Sequence, residues 1–370
     1  MSKVMLFGSG EVGGHILEFL VRDPKCPELV ICDLNEEVGQ LKVNNAVIGA
    51  AVSRLYPIVT FKKVDLTDVH ATAELINEEK PDIIINCAVL QTWHVIRQLP
   101  EEEYKKLSAA SLGAWLPCQL ALAYKLMQAV KLSEFDGHVI NTALSDLTNP
   151  VLAKKDLAPT IGIGNVELIE PAVRINVARK LNVPVDIVKI YLVAHHEWWV
   201  YPREEGYERA PYFIKIVVND KDVTEKFDTY QLMWDSIKLY PPKTEFTTVS
   251  ASSTIKNMYA LLSPSGIFTH SPTPQGLPGG YPIILSSKGA ELALPEEISL
   301  EEAIQINEES AKLDGIDHVK DDGTVVYSDY THKILKEVLG FDHPSFNVED
   351  SLELAFELMS KYKEHENKFK

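Results

Sequence analysis

Four groups of residues carry side chains suited to chemistry. His195-His196-Glu197, followed by Trp198, Trp199, Tyr201 and Pro202, form the densest polar and aromatic cluster in the chain. An imidazole exchanges protons near neutral pH, which suits a two-way acid/base. Neighbouring residues on a strand point to opposite faces, so one of the two histidines at most serves a given site. A metal is the other use of His-His-Glu. Zinc sites need ligands at helical or turn spacing and a third partner, and an extended segment offers neither, so no metal is expected. Glu170 and Arg174 stand four apart on a helical stretch, with Glu167 one turn earlier. Trp93, His94 and Arg97 sit on a loop that reads as a lid.

The fourth group is the glycine set Gly8, Gly10 and Gly13, and it comes with its scaffold. Lys3–Phe7 is a short apolar run with the composition of a buried strand, and His15–Arg22 reads as a helix with an apolar face. A second apolar run, Glu28–Cys32, ends in Asp33. Strand, glycine turn, helix, strand and acid follow in the order that a dinucleotide site requires. Gly8 permits the tight turn, Gly10 lets backbone approach a pyrophosphate, and Gly13 lets the helix lie close on the strand. Glu11 and Val12 stand between them at the helix start, whose free N–H groups favour phosphate. Asp33 is placed to accept both ribose hydroxyls of adenosine and to repel a 2′-phosphate, which favours NAD over NADP.

Ile58–Val64 and Pro81–Cys87 read as further strands, with helices at Leu34–Val52 and from Thr67 or Asp68 to Glu79. Strands and helices in alternation predict a parallel, doubly wound sheet. The carboxyl ends of its strands face one crevice, so Gly8, Asp33, Asp65 and the segment Asn86–Leu90, Ala88 included, are expected there. A helical stretch from Tyr104 to Val130, broken near Leu116-Pro117, leads to the strand His138–Thr142. A second α/β region follows: a helix from Gly164 to Leu181, the strand Val185–Ala194 that delivers the histidines, and a hairpin at Tyr212–Thr224. Next come a helix over Tyr230–Ile237, another over Ile255–Leu262 capped by Ser250–Thr254, and an irregular loop, Ser271–Gly280. Ser299 and Glu302 form a capping box for a helix to about Leu313, and the last forty-five residues read as helical.

Composition narrows the function. The net charge of −17 and the lack of any basic stripe argue against a nucleic-acid partner. No apolar run reaches the ~18–20 residues of a membrane span. Cys26, Cys32, Cys87 and Cys118 show no CxxC spacing and read as reduced thiols of a cytoplasmic protein. A strand beginning by residue 3 leaves no room for a signal peptide.

Beyond residue 135 the order of parts resembles the lactate/malate dehydrogenase superfamily. Val139–Thr148 stands where that family has an asparagine-proline turn, and Ile161–Gly164 with Glu167–Arg174 is similar to its glycine stretch and acid-arginine helix. Leu192–Pro202 looks like its histidine segment. Tyr281–Pro295 and Ser299–Leu313 look like its last strand and helix. The resemblance implies a Rossmann domain (1–150), an α+β substrate and dimerisation domain (151–315) and, outside the family pattern, a helical C-terminal extension (316–370). It further implies NAD, a small carboxylate-bearing substrate, and a homodimer or homotetramer. In that scheme His196 exchanges the proton, Glu170 or Glu167 orients its ring, and Arg174 clamps the carboxylate. Arg97 polarises the carbonyl from the lid, and Asn141 binds near the nicotinamide ribose or the substrate oxygen. The chain also departs from the family. Asn141 precedes threonine, the acid and arginine are four apart instead of three, and Glu197 replaces a glycine. Trp198 and Trp199 suggest a pocket shaped for something other than lactate or malate.

Three other readings compete. The N-terminal half also resembles saccharopine dehydrogenase-like proteins, which implies an amino-acid or imine substrate. Short-chain reductase chemistry is excluded, because no tyrosine has a lysine four residues later. An NAD-binding sensor without turnover predicts cofactor binding indifferent to His196. An NAD-dependent lyase or hydrolase would need a metal cluster that the linear sequence does not display.

Overall fold

The computed structural model describes residues 2–200, 210–240 and 246–370. Its first layer is a parallel sheet whose inner strands are apolar on both faces, the pattern of a sheet covered by helices. In chain order the elements are β1 (Lys3–Phe7), α1 (Glu11–Leu20), β2 (Glu28–Asp33), α2 (Glu36–Val52), β3 (Val59–Lys63), α3 (Val69–Glu79) and β4 (Ile83–Asn86). They continue with α4 (Glu101–Ser108), α5 (Leu116–Leu132), β5 (His138–Asn141), α6 (Ser145–Ala153) and β6 (Ile161–Gly162). The strand order is β3-β2-β1-β4-β5-β6, all parallel. The order in which strands are added reverses between β1 and β4, and ligands of doubly wound sheets bind at that switch point. The helix expected over Tyr104–Val130 divides into α4 and α5. Between them lie Ser111, which has φ +58°, and the short turn Leu112–Trp115.

A second, antiparallel sheet builds the next unit, whose elements are α7 (Val166–Leu181), β7 (Val188–Ala194), α8 (Glu197–Val200), β8 (Tyr212–Val218), β9 (Lys221–Asp222) and α9 (Thr229–Ile237). They are followed by α10 (Thr247–Leu261), β10 (Ile267–Pro272), β11 (Gly280–Ser286), β12 (Gly289–Leu292) and α11 (Leu300–Leu313). The strand order is β10-β11-β7-β8-β9, with β12 added to β11. The Ser299–Glu302 capping box at the start of α11 is present with both of its bonds. Two local expectations need correcting. Helix α10 starts at Thr247, upstream of the serines read as its cap, and part of the expected irregular loop is β10 paired with β11. Helix α10 lies along α1, tied by Thr247 Oγ1 to Glu11 Oε1 (3.0 Å) and by Tyr259 Oη to Asp23 Oδ2 (2.9 Å).

The C-terminal stretch is not helical throughout. It contains β13 (Ile316–Val319), β14 (Thr324–Tyr327), α12 (Asp329–Ile334), β15 (Ser345–Asn347) and α13 (Ser351–Glu366), and the three strands form one antiparallel sheet. β13 and β14 are only four residues long, too short for alternation to outweigh the charged turn between them in a sequence reading. Helix α13 packs on α5. Its Leu354, Ala355, Leu358 and Tyr362 join the same core as Met5 and Phe7 of β1 and Trp115. Tyr362 meets the Trp115 ring edge-on at 5.6 Å and donates to the Val95 carbonyl at 2.7 Å. Among the described residues no helix is long and apolar enough to cross a membrane.

Candidate active site

At the switch point the chain leaves β1 through Gly8, whose φ of +90° is the left-handed region that glycine adopts without strain. A side chain there would begin 2.6 Å from the Ala88 nitrogen, and one at Gly13 would begin 2.0 Å from the Gly8 oxygen. A side chain begun at Gly10 would meet nothing within 4 Å. The loop is therefore closed toward β4 and α1 and open on its outer side. Helix α1 starts with no side-chain cap, so its first N–H groups face that opening. These features fit a pyrophosphate.

Asp33 ends β2 beside the loop. Its Oδ2 accepts from both the backbone nitrogen and the hydroxyl of Ser9, each at 2.7 Å, and Oδ1 accepts from Asn35 N at 3.0 Å. Burial pushes this carboxyl up, but the Ser9 and Asn35 bonds more than offset it and hold it below the usual value. With about four acceptor positions on a carboxylate, Asp33 keeps roughly one for a ribose hydroxyl while it fixes the loop. Lys42 bonds the Ser9 carbonyl from the other side.

A second constellation is wholly buried. β7 ends at Ala194, and the chain turns into α8, so His195 and His196 sit on a strand-to-helix turn instead of in an extended segment. Asp146, in the first turn of α6 beyond the carboxyl end of β5, accepts from His196 N and bonds His196 Nδ1 through the same Oδ2, both at 2.9 Å. On the far side of the ring His196 Nε2 faces Asp314 Oδ2 at 3.0 Å and Glu197 Oε2 at 3.9 Å. The 3.0 Å contact is an ion pair without hydrogen-bond geometry. Asp314, the C-cap of α11, has its other oxygen held by Ser111 Oγ (2.9 Å), Leu112 N (3.0 Å) and Gly113 N (3.3 Å). His195 takes a hydrogen bond on Nδ1 from Glu197 N at 3.2 Å, which places its own proton on Nε2.

The electrostatics follow from burial and from these partners. Burial pulls His196 down, but Asp314 and Asp146 outweigh it and hold the imidazole well above its usual value. Burial and the neighbouring His196 push His195 down to about 4. Burial and Asp314 drive the Glu197 carboxyl up, while the bonds and charges around Asp314 and Asp146 keep both low despite their burial.

Residues 6–112 match the NAD dependent epimerase/dehydratase family. No curated protein matches the sequence. Among solved structures the chain is similar to a lactate dehydrogenase from Eimeria maxima with NADH and oxamate: TM-score 0.58, 16% identity, 84% of this chain and 92% of that one. It is similar also to malate dehydrogenase from Plasmodium falciparum, with TM-score 0.58, 15% identity, 97% of this chain and 100% of that one. A third neighbour is malate dehydrogenase from Aeropyrum pernix, with TM-score 0.59, 14% identity, 84% of this chain and 97% of that one. The fold is that of the lactate and malate dehydrogenases.

Within this lactate/malate dehydrogenase fold, several side chains stand elsewhere than the sequence resemblance implied. Neither Glu167 nor Glu170 orients His196; Asp146 does. Helix α7 turns both glutamates toward α10 and β10, where Glu167 accepts from Asn257 Nδ2 (2.9 Å), Thr269 Oγ1 (3.0 Å), Ser253 and Lys256. Glu170 pairs with Arg174 at 3.3 Å, and both line a cavity of about 310 Å³ together with Lys189, Lys256 and His270. Arg174 is therefore engaged by Glu170 and not by a site at His196. Asn141 is buried with every position taken. Its Nδ2 donates to Thr148 Oγ1 (2.9 Å) and Asn149 Oδ1 (2.7 Å), and its Oδ1 accepts from Asn86 Nδ2 (2.8 Å) and Ala143 N (3.1 Å). It locks β4 to β5 and has no bond left for a ribose. Arg97 is exposed, its guanidinium 5.1 Å from the centre of the Trp93 ring, on which His94 stacks. Asp65 accepts from Thr67 N and Oγ1 through its Oδ1 in the turn before α3. Trp198 packs edge-on against Tyr212 at 5.7 Å in the core of the second unit, and Tyr201 and Pro202 lie outside the described residues.

Asp146, Glu197, Asp314 and Ser111 were not expected at the site. Glu197 and Asp146 lie inside segments already aligned with the dehydrogenases, so an acid replacing a glycine was a usable signal for Glu197. Asp314 and Ser111 carry no local signal. The expectation that the histidines lack metal-ligating partners also fails, because the tertiary fold brings three carboxylates to them.

Proposed function

We propose that the chain is an NAD-dependent oxidoreductase that interconverts a hydroxyl and a carbonyl on a small carboxylate-bearing molecule. Bound NAD would supply the hydride acceptor. The glycine loop and the start of α1 hold its pyrophosphate, and Asp33 accepts from the adenosine ribose. The observation that carries the reading is that the carboxyl edge of the parallel sheet bears both this loop, after β1, and Asp146, after β5, whose carboxylate fixes Nδ1 of His196 from the neighbouring sheet. An imidazole so held presents Nε2 as the reacting atom. In this reading His196 gives and takes the substrate's proton at Nε2, and substrate binding has to part that nitrogen from Asp314 Oδ2, which it faces at 3.0 Å. The likeness to an enzyme solved with NADH and oxamate, itself a small carboxylate, supports the pairing of cofactor and substrate class.

A panel of hydroxy acids and sugar acids, followed by the absorbance of reduced nicotinamide, tests the reading. His196→Asn is expected to abolish turnover and to leave NAD affinity unchanged. Normal turnover by that variant would sink the assignment of His196, and absence of NAD binding by the wild type would sink the reading as a whole.

A further inference from the structure

Five buried polar atoms around His196 have no hydrogen-bond partner: Asp146 Oδ1, His195 Nε2, His196 Nε2, Glu197 Oε2 and Asp314 Oδ2. A single orphan of this kind destabilises a fold, more so if charged, and native folds keep few of them. Three of the five converge. His196 Nε2, Glu197 Oε2 and Asp314 Oδ2 all lie within 4.8 Å of one another, with separations from Nε2 of 3.9 and 3.0 Å. Donor atoms at ~2.0–2.2 Å from a common ion stand about 3–3.5 Å apart, so a small adjustment places all three in one coordination shell.

The anchoring of each group points the same way. His196 is held through Nδ1 by Asp146, leaving Nε2 turned to the gap. Asp314 is held through Oδ1 by Ser111, Leu112 and Gly113, leaving Oδ2 turned to it. Glu197 is held through Oε1 by Ser111 at 3.4 Å, leaving Oε2. Three side chains, each with one polar atom fixed by a hydrogen bond and the other turned to a common point, make a preformed ligand set once an ion parts the His196–Asp314 pair. A carboxylate that holds the far nitrogen of the imidazole is the usual support for a metal-bound histidine. A divalent ion would also balance the two carboxylates. The alternative set of Asp146 Oδ2, His195 Nε2 and His196 Nδ1 is less apt, because two of its atoms already share a hydrogen bond.

We propose that His196 Nε2, Glu197 Oε2 and Asp314 Oδ2 bind one zinc or manganese ion, with Asp146 as the positioning residue for the imidazole. One nitrogen and two carboxylate oxygens suit either ion, and three protein ligands leave a coordination position open. The site joins the turn after α4, the end of β7 and the end of α11. Its existence does not depend on the dehydrogenase reading. With the ion bound, Nε2 is a ligand and not the acid/base, so the metal replaces the proton-exchanging role of that nitrogen.

The test uses the full chain, freed of metal with a chelator and then titrated calorimetrically with zinc chloride and manganese chloride, with elemental analysis of the dialysed protein. One ion per chain is expected for one of the two metals, with a rise in melting temperature. Glu197→Gln, which keeps the side chain's shape, and Asp314→Asn should each abolish stoichiometric uptake. Asp146→Asn should weaken it about 10- to 100-fold while one ion per chain still binds at saturation. NAD binding is measured separately by fluorescence, so a failed cofactor site and a failed metal site give different results. Absence of saturable uptake by folded, NAD-binding protein would overturn the proposal and leave the carboxylates sharing a proton. Uptake unchanged in both carboxylate variants would overturn it as well, since the ion would then sit elsewhere.

Discussion

Glu170→Gln separates the role that the sequence resemblance gives this residue from the place the fold gives it. Glu170 is buried against Arg174, and burial pushes its carboxyl up to about 7 from the ordinary 4.5, the attraction of Arg174 and Lys256 only partly offsetting it. The folded chain thus binds a proton that the unfolded chain releases earlier, and stability falls as pH rises between these two values. Below about 4.5 the acid is neutral in both states and costs nothing; above about 7 the cost is complete. The gap of about 2.5 pH units converts to about 3 kcal/mol as an upper bound. Arg174 is partly exposed, so the ion pair lost in the variant is worth less than about 1 kcal/mol. Glu170→Gln should therefore melt at nearly the wild-type temperature at pH 4.5 and above it at pH 8. A chain of this length gains on the order of 2–4 °C from such a change. Thermal melts of the two proteins across this pH range, read as a difference curve, measure the effect, and turnover of the variant should stay within a few-fold of wild type. A difference curve that is flat or slopes the other way refutes the burial argument. Loss of turnover at full stability would return Glu170 to the reaction centre.

Asp33→Asn can keep the two Ser9 bonds on its one amide oxygen but loses the bond from Asn35 N, and it removes the charge offered to a ribose. NAD affinity should fall about 10-fold by fluorescence titration, with a modest drop in melting temperature from the lost bond. Leu358 is fully buried where α13 meets α5, so Leu358→Ala should cost about 2–5 kcal/mol and lower the single melting transition. If the nucleotide-binding unit melted unchanged in that variant, the C-terminal segment would be an appendage and not part of its core.

The parallel sheet and the glycine loop were legible because their information is local. Strand, turn, helix and acid lie within about thirty residues, and each is specified by its own composition: apolar runs for β1 and β2, glycine where φ is positive at Gly8, glycine where a Cβ would strike the Gly8 oxygen at Gly13. The capping box at Ser299 was legible for the same reason. Short strands such as β13 and β14 were hidden, since four residues show too little alternation to be told from turn.

The chain by itself determined the cofactor loop and the strand that delivers two histidines. What the histidines do was decided by the tertiary structure. Glu170 and Arg174 have the right types and nearly the right spacing for a reaction centre, yet the rotation of α7 turns them into another cavity. Asp146 reaches His196 across 50 residues of sequence, and Ser111 reaches Asp314 across 203. No periodicity or motif encodes contacts of that span. They exist because β5, β7 and α11 end at the same buried place, and a charge there is tolerated only where its partners have been brought to it.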